Sequence, residues 1–251
     1  MDWSDQGIVL SARRHGESAA IVSLLTLAHG RHAGLVRGGS GKRLRGVLQL
    51  GNELSASWRA RLAEHLGSYT VELLRARAAP LLAQPDRLAA LSAAAAVTEA
   101  ALPEREPHPK IYEAFLALLE ALAGEALWPA VYVRFELGLL AELGFGLDLG
   151  SCASTGETED LAYVSPRSGR AVSAAAGAPY AERLLPLPAF LLGRHEGPLG
   201  ARDVLDGLRL TGFFLERQVF LPHGRREPAA RIRLVERFAR TSTTSGAIFE
   251  A

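Results

Sequence analysis

Along the first 75 residues the apolar positions come in short, partly β-branched runs separated by polar, glycine-bearing turns. Gly7–Ala12, Ala19–Leu27, Arg31–Val36, Val47–Leu50 with Glu53–Trp58, and the alternating Ser68–Leu73 predict five strands. A hairpin is expected around His29-Gly30-Arg31, and the fourth strand is expected to break near Gly51-Asn52. Arg37–Arg45, with Gly38, Gly39 and Gly41 among charged residues, predicts a loop. Five short strands with glycines at the bends suit a small OB-type barrel, although an SH3-like barrel or a five-stranded sheet would show the same pattern.

After Ala79-Pro80 the apolar period changes from two to 3.6. Pro85–Leu102 reads as an alanine-rich helix, and Lys110–Ala123 places Ile111, Phe115, Leu118 and Leu122 on one stripe. Pro129 opens a further helix with Val133, Leu137 and Leu140 on one face and Gly144 as its stop. Residues 146–180 are irregular, except that Leu161–Val164 and Arg170–Ser173 flank a turn and predict a hairpin. Helicity is expected again over Leu184–Leu192, Ala201–Phe220 and Ala229–Arg240, before a frayed tail, Thr241–Ala251. The expected class is α+β. An N-terminal OB-type β-barrel (residues 1–80) precedes a mainly α-helical domain (81–251) with a small hairpin insert at about 149–177.

Composition narrows the class. With 251 residues, 48% of them hydrophobic and 22% charged, the chain can bury a core and is neither disordered nor fibrous. The lone Cys152 permits no intramolecular disulfide and fits a reducing, cytoplasmic setting. Met1-Asp2-Trp3-Ser4-Asp5 is not expected to begin a signal peptide, and runs such as Leu88–Leu102 and Val131–Leu143 are too short or too charged to span a bilayer.

The net charge of +1 hides unlike parts. Residues 1–80 carry 11 basic and 6 acidic side chains, residues 81–160 carry 4 and 13, and residues 161–251 carry 13 and 8. Two basic blocks around an acidic one point to a polyanion or an acidic partner.

No residue set announces covalent chemistry. A phosphate-binding loop ending in Gly41-Lys42 needs glycine where Val36 stands and Ser or Thr where Arg43 stands. Gly38-Gly39-Ser40-Gly41-Lys42 lacks the final glycine of a nucleophile elbow. His29 and His32 have metal-like spacing but read as solvated turn residues, and Glu157, Glu159 and Asp160 as a solvated acidic loop. His195-Glu196-Gly197-Pro198 does not continue to a second histidine, and Cys152 has no base nearby in sequence. The expectation is a protein that is not an enzyme, with no catalytic residues, no metal site and no cofactor.

Electrostatics remains. The stretch Arg37–Arg45 holds four cations and no acid, and its glycines let the backbone approach a phosphate chain. Arg13, Arg31, Arg37, Lys42, Arg43 and Arg45 are the candidate phosphate contacts. Trp3, Trp58 and Tyr69 are either base-stacking residues or core. A second basic run comprises Arg225, Arg226, Arg231, Arg233, Arg237 and Arg240. On a helix from Pro228, Ile232, Val235 and Phe238 would turn inward with Arg233, Arg237 and Arg240 outward, which a solvated amphipathic helix explains equally well.

Several of these features occur together, in order, in a known family. Gly7-Ile-Val-Leu, Gly16-Glu17, Ile21-Val22, His29-Gly30-Arg31, Arg37-Gly38-Gly39 and Tyr69 resemble the N-terminal domain of the RecO family of DNA recombination-repair proteins. The likeness continues through Arg134-Phe135-Glu136-Leu137, Leu140–Leu143-Gly144-Phe145, Cys152, Tyr163-Val164-Ser165-Pro166-Arg167 and Gly169.

The resemblance implies a non-enzymatic mediator that binds single- and double-stranded DNA, anneals complementary strands and assists RecA loading in the RecF pathway. It implies RecR and the acidic C-terminal tail of SSB as partners, RecA indirectly, no membrane, and a cytoplasmic, nucleoid-associated location. Arg134, beside Phe135 and Leu137, would receive the tail carboxylate, or else serve in a surface or intramolecular ion pair. The alternative is a protein–protein adaptor with incidental DNA affinity. Some family members hold zinc with four cysteines. Here Cys152 matches the first, while Thr155, Ser173 and Ala176 stand at the others, so a zinc-free hairpin is expected.

Overall fold

The computed structural model describes residues 1–124, 126–193 and 199–244. The chain forms two compact units, Met1–Ala123 and Gly124–Ala251.

The first unit contains β1 (Asp2–His15), β2 (Ala19–Thr26), β3 (Gly30–Val36), the short α1 (Lys42–Arg45), β4 (Glu53–Arg59), β5 (Ser68–Arg75), α2 (Pro85–Ala101) and α3 (Pro109–Gly124). Strand neighbours run β1-β2-β3-β5-β4, and β1 also pairs with β4 along Asp2–Ile8. The seam between β3 and β5 is thin, with only Leu35↔Ser68 and Val36↔Tyr69 in parallel register.

The alternating residues Val22, Leu24, Leu54, Ala56, Trp58 and Tyr69 meet in one apolar cluster. Gly34 is required there, because a Cβ at that position would lie 2.4 Å from the Tyr69 ring. Trp58 and Tyr69 are therefore core residues, at 3% and 4% exposure, and do not present a face for stacking. Trp3 packs against the same cluster.

Three expectations need correction in this unit. The predicted loop Arg37–Arg45 is a turn followed by a helical turn, because the Arg45 amide donates to the Gly41 carbonyl and a local i→i+4 bond forms. Val47–Leu50 lies outside β4; Asn52 holds this segment through bonds from its side-chain amide to the Gly46 and Val47 carbonyls. Of the two histidines expected to be solvated, His29 is only partly exposed and His32 is buried. His29 stacks on Trp3, centroids 4.0 Å apart, and its Nδ1 lies 3.2 Å from Asp5 Oδ2. His32 is 3% exposed and touches Trp3, Trp58 and Tyr69. Burial, followed by the nearby Arg105 charge, lowers its pKa to about 4.

The segment after α2 is strapped onto β3. Arg31 and Glu104 form a parallel bridge, and the Arg105 amide donates to the Arg31 carbonyl at 2.8 Å. Gly30, at φ +65°, lets the strap approach so closely that a Cβ would sit 1.8 Å from the Glu106 carbonyl oxygen. Arg105 reaches on to the carbonyls of Glu64 and His65.

The second unit contains α4 (Trp128–Glu142), β6 (Leu161–Val164), β7 (Ala171–Ser173), α5 (Ala174–Gly177), β8 (Leu185–Pro186), α6 (Ala201–Phe214) and α7 (Ala229–Thr244). The predicted hairpin is β6–β7, and β8 pairs with β6 to make three strands. The helix expected over Leu184–Leu192 is instead β8 followed by a single 3-10 turn, Ala189–Leu192, since Pro186 and Pro188 deny two backbone donors. The helix from Ala201 continues beyond α6 as a π-helical stretch, Leu215–Phe220. Residues 241–244 of the expected frayed tail belong to α7; residues 245–251 and His195–Pro198 lie outside the described residues.

On α7 the inward stripe differs from the expected one. Arg231, Leu234 and Phe238 are buried, whereas Ile232 is 42% exposed. The cause is a charge partner. Arg231 donates from Nε to Glu136 Oε1 and from Nη2 to Glu136 Oε2, both at 2.7 Å, joining α7 to α4. Arg231 also bonds the Leu208 carbonyl, Thr211 and Glu227. Burial opposes charge on this guanidinium, but Glu136 raises its pKa overall. A fully buried carboxylate is tolerated because every oxygen is paired.

Candidate nucleic-acid interface

Register brings five of the six candidate cations, Arg13, Arg37, Lys42, Arg43 and Arg45, towards one end of the five-stranded sheet, while Arg31 opens β3 at the other end. Arg14 pairs with Ala20, which pairs with Val36, so the β1–β2 turn and the start of the 37–45 segment lie about 10 Å apart, two strand spacings. Ser40 ties them together: its amide donates to the Ser18 carbonyl at 2.9 Å and its hydroxyl to the Ala19 carbonyl at 2.7 Å. Gly38, at φ +69°, makes the reversal that presents α1.

Arg37, Lys42, Arg43 and Arg45 all lie exposed on this pinned turn. None pairs with an acid among the described residues. Four unneutralised cations within nine residues gain by displacing the counterions condensed on a phosphate chain.

The other two candidates are differently placed. Arg13 lies on β1, 75% exposed, with Nη2 3.5 Å from Glu99 of α2. Arg31 has a side chain only 13% exposed. It donates to the Leu102 carbonyl at 3.0 Å and to Glu104 at 3.2 Å. Arg77 is likewise held by Glu53 and Glu120. Thus acids of α2, the strap and α3 neutralise particular arginines of the strand region, and the turn 37–45 is left uncompensated.

Arg134 lies on α4 and donates to the Phe190 carbonyl at 2.6 Å, linking α4 to the 3-10 turn. It makes a backbone bond rather than an ion pair.

The residues of the hairpin insert do not fit zinc. Cys152 is buried, and its Sγ accepts a bond from the Ser173 amide at 3.3 Å. The Thr155 hydroxyl donates to Glu157 at 3.0 Å. No three His, Cys, Asp or Glu side chains converge at metal distance among the described residues. Hydrogen bonds from Ser173 and Thr155 lower the Cys152 pKa to about 6. The segment is closed by the bonds Cys152 N–H to Glu157, Ala153 N–H to Ala171 and Gly156 N–H to Cys152, at 2.7, 2.8 and 2.9 Å.

Sequence reasoning missed Glu99, Glu104, Glu136 and the buried role of Arg231. Only Glu136 carried a signal. It falls four residues after Tyr132 and four before Leu140, on the apolar side of α4, where an acid demands a partner.

Comparison with known proteins finds two family matches along the chain and many relatives. Residues 1–77 match the family "Recombination protein O N terminal", and residues 82–227 match "Recombination protein O C terminal". The chain is 58% identical over 248 residues to the DNA repair protein RecO of Rhodospirillum centenum, covering 98% of both chains. It is 60% identical over 247 residues to that of Rhodospirillum rubrum, covering 96% of this chain and 98% of the relative. With the RecO of Phenylobacterium zucineum the identity is 54% over 239 residues. No helix among the described residues is long and apolar enough to cross a membrane.

Proposed function

The chain belongs to the RecO family of DNA repair and recombination proteins, and from that membership we propose that it is a non-enzymatic mediator that binds DNA through the turn 37–45. The observation that carries this reading is the set of four exposed, uncompensated cations, Arg37, Lys42, Arg43 and Arg45, pinned by Ser40 beside the β1–β2 turn. In this reading residues 1–80 are an OB-type DNA-binding domain and 81–251 a helical domain with the hairpin insert. The thin β3–β5 seam and the strand order support the OB-type assignment.

Annealing then needs no reacting group. Cations on one surface lower the mutual repulsion of two phosphate chains and raise their local concentration, and the bases pair by themselves. Both single- and double-stranded DNA suit such a contact, because it reads phosphate rather than sequence. The family relationship extends the reading to RecR, to the acidic tail of SSB with Arg134 as its receptor, to RecA loading in the RecF pathway, and to a cytoplasmic, nucleoid-associated setting.

The test is annealing of complementary oligonucleotides, naked and SSB-coated, with Arg43→Ala/Arg45→Ala compared with the unmodified chain. The double variant should weaken binding for all sequences alike and reduce the slope of log affinity against log salt by about 2, one per lost phosphate contact. Unchanged binding in the double variant, or weak salt-insensitive binding by the unmodified chain, would overturn the assignment; the second result favours an adaptor.

A further inference from the structure

Ser11 and Arg13 stand two residues apart on β1 and therefore share one face of the strand. One carboxylate serves both. Glu99 of α2 accepts the Ser11 hydroxyl at Oε1, 2.7 Å, and faces Arg13 Nη2 from Oε2 at 3.5 Å. The two halves of this contact differ in kind. Glu99 is fixed: its side chain is 22% exposed and is held by a neutral donor that stays in place whatever Arg13 does. Arg13 is loose, with 75% of its side chain in solvent and this single long contact to an acid.

We propose that Glu99 is an internal competitor for DNA phosphate at Arg13: the carboxylate occupies the guanidinium when no DNA is bound, and a backbone phosphate must displace it. The inference rests on the reading of the β1–β2 end and the turn 37–45 as a DNA surface. Arg13 lies one register position from Arg14, in the row through Ile21 and Leu35. A phosphate chain crossing from the turn 37–45 towards β1 thus meets a cation already half-neutralised.

Arg31 shows the contrasting case. Its contact with Glu104 is accompanied by a bond to the Leu102 carbonyl, a backbone bridge and a side chain only 13% exposed, so it anchors the strap and does not exchange. Glu99 therefore sets affinity, whereas Glu104 sets structure.

The experiment is a double-mutant cycle on the full chain, read by fluorescence polarisation of a labelled single-stranded oligonucleotide at low and physiological salt. Glu99→Gln keeps an acceptor for Ser11 and removes the charge, and it should tighten binding about threefold at low salt, less at high salt. In an Arg13→Ala background the same substitution should change nothing. Glu99→Ala, which loses the Ser11 bond as well, should show the same tightening if Gln disturbs the helix. Glu113→Gln, an exposed acid of α3, controls for a general loss of negative charge.

Tightening that persists without Arg13, or that Glu113→Gln reproduces, overturns the proposal. So does an unaltered affinity in both Glu99 variants while Arg43→Ala/Arg45→Ala weakens binding; that outcome leaves the DNA surface standing. If neither set of variants alters binding, the DNA surface itself is misplaced.

Discussion

His32 should make the strand-bearing unit acid-labile in a way that one substitution removes. The imidazole is 3% exposed, ringed by Trp3, Trp58 and Tyr69, and Arg105 adds a like charge. Its pKa falls from 6.5 to about 4. Above pH 6.5 the residue is neutral in both folded and unfolded chains and costs nothing. Between 6.5 and about 4 the unfolded chain binds a proton that the folded chain refuses, so stability declines as pH falls. Below about 4 both states are protonated and the loss levels off. Integrating the two titrations from pH 7 to pH 5 gives a loss of about 2 kcal/mol from this residue alone.

The assay is urea unfolding followed by tryptophan fluorescence, since Trp3 and Trp58 lie in the same cluster. Other groups titrate over the same range, so the decisive quantity is the difference between the unmodified chain and His32→Gln. The variant is expected to be less stable at pH 7 but to lose about 2 kcal/mol less on going to pH 5. Parallel pH profiles for the two proteins would refute the reasoning, because they would mean that the buried ring titrates normally.

Two further outcomes are expected. Arg231→Met should destabilise the chain by about 3–5 kcal/mol by leaving Glu136 buried without its partner, whereas Glu136→Leu combined with Arg231→Met should recover much of that loss in urea unfolding. Treatment with a strong chelator should leave the thermal midpoint unchanged, and elemental analysis of the purified protein should find no stoichiometric zinc. A lowered midpoint after chelation would contradict the reading of the Cys152–Ser173 region.

The local elements were largely legible because they obey local rules. The alternation Ser68–Leu73 and the glycine at position 30 announce strand and turn whatever lies around them, and the 3.6 period of Ile111, Phe115, Leu118 and Leu122 announces a helix. Charge pairing was not legible, because it depends on partners far along the chain. Ser11 meets Glu99 across 88 positions, and Arg231 meets Glu136 across 95. Read alone, α7 offers Ile232 as its natural inward residue, and only the carboxylate waiting on α4 makes Arg231 the buried one. The same holds for the cationic surface. Sequence identifies Arg13 and Arg31 as equals of Arg37, and only the acids of α2 and the strap tell them apart. His32 was misjudged for a related reason: neighbourhood in sequence suggested a wet turn, while the closing strands enclosed it with aromatic rings.

The strap has a consequence for the company the protein keeps with itself. β3 shares only two residue pairs with β5, and the rest of that side of the strand is the kind of border along which strands of separate molecules join. The Arg31–Glu104 bridge and the Arg105 amide occupy part of that border with the chain's own backbone. Glu104 and Arg105 thus guard against sheet-to-sheet association, and loosening them should show first as aggregation at high protein concentration, before the fold itself is lost.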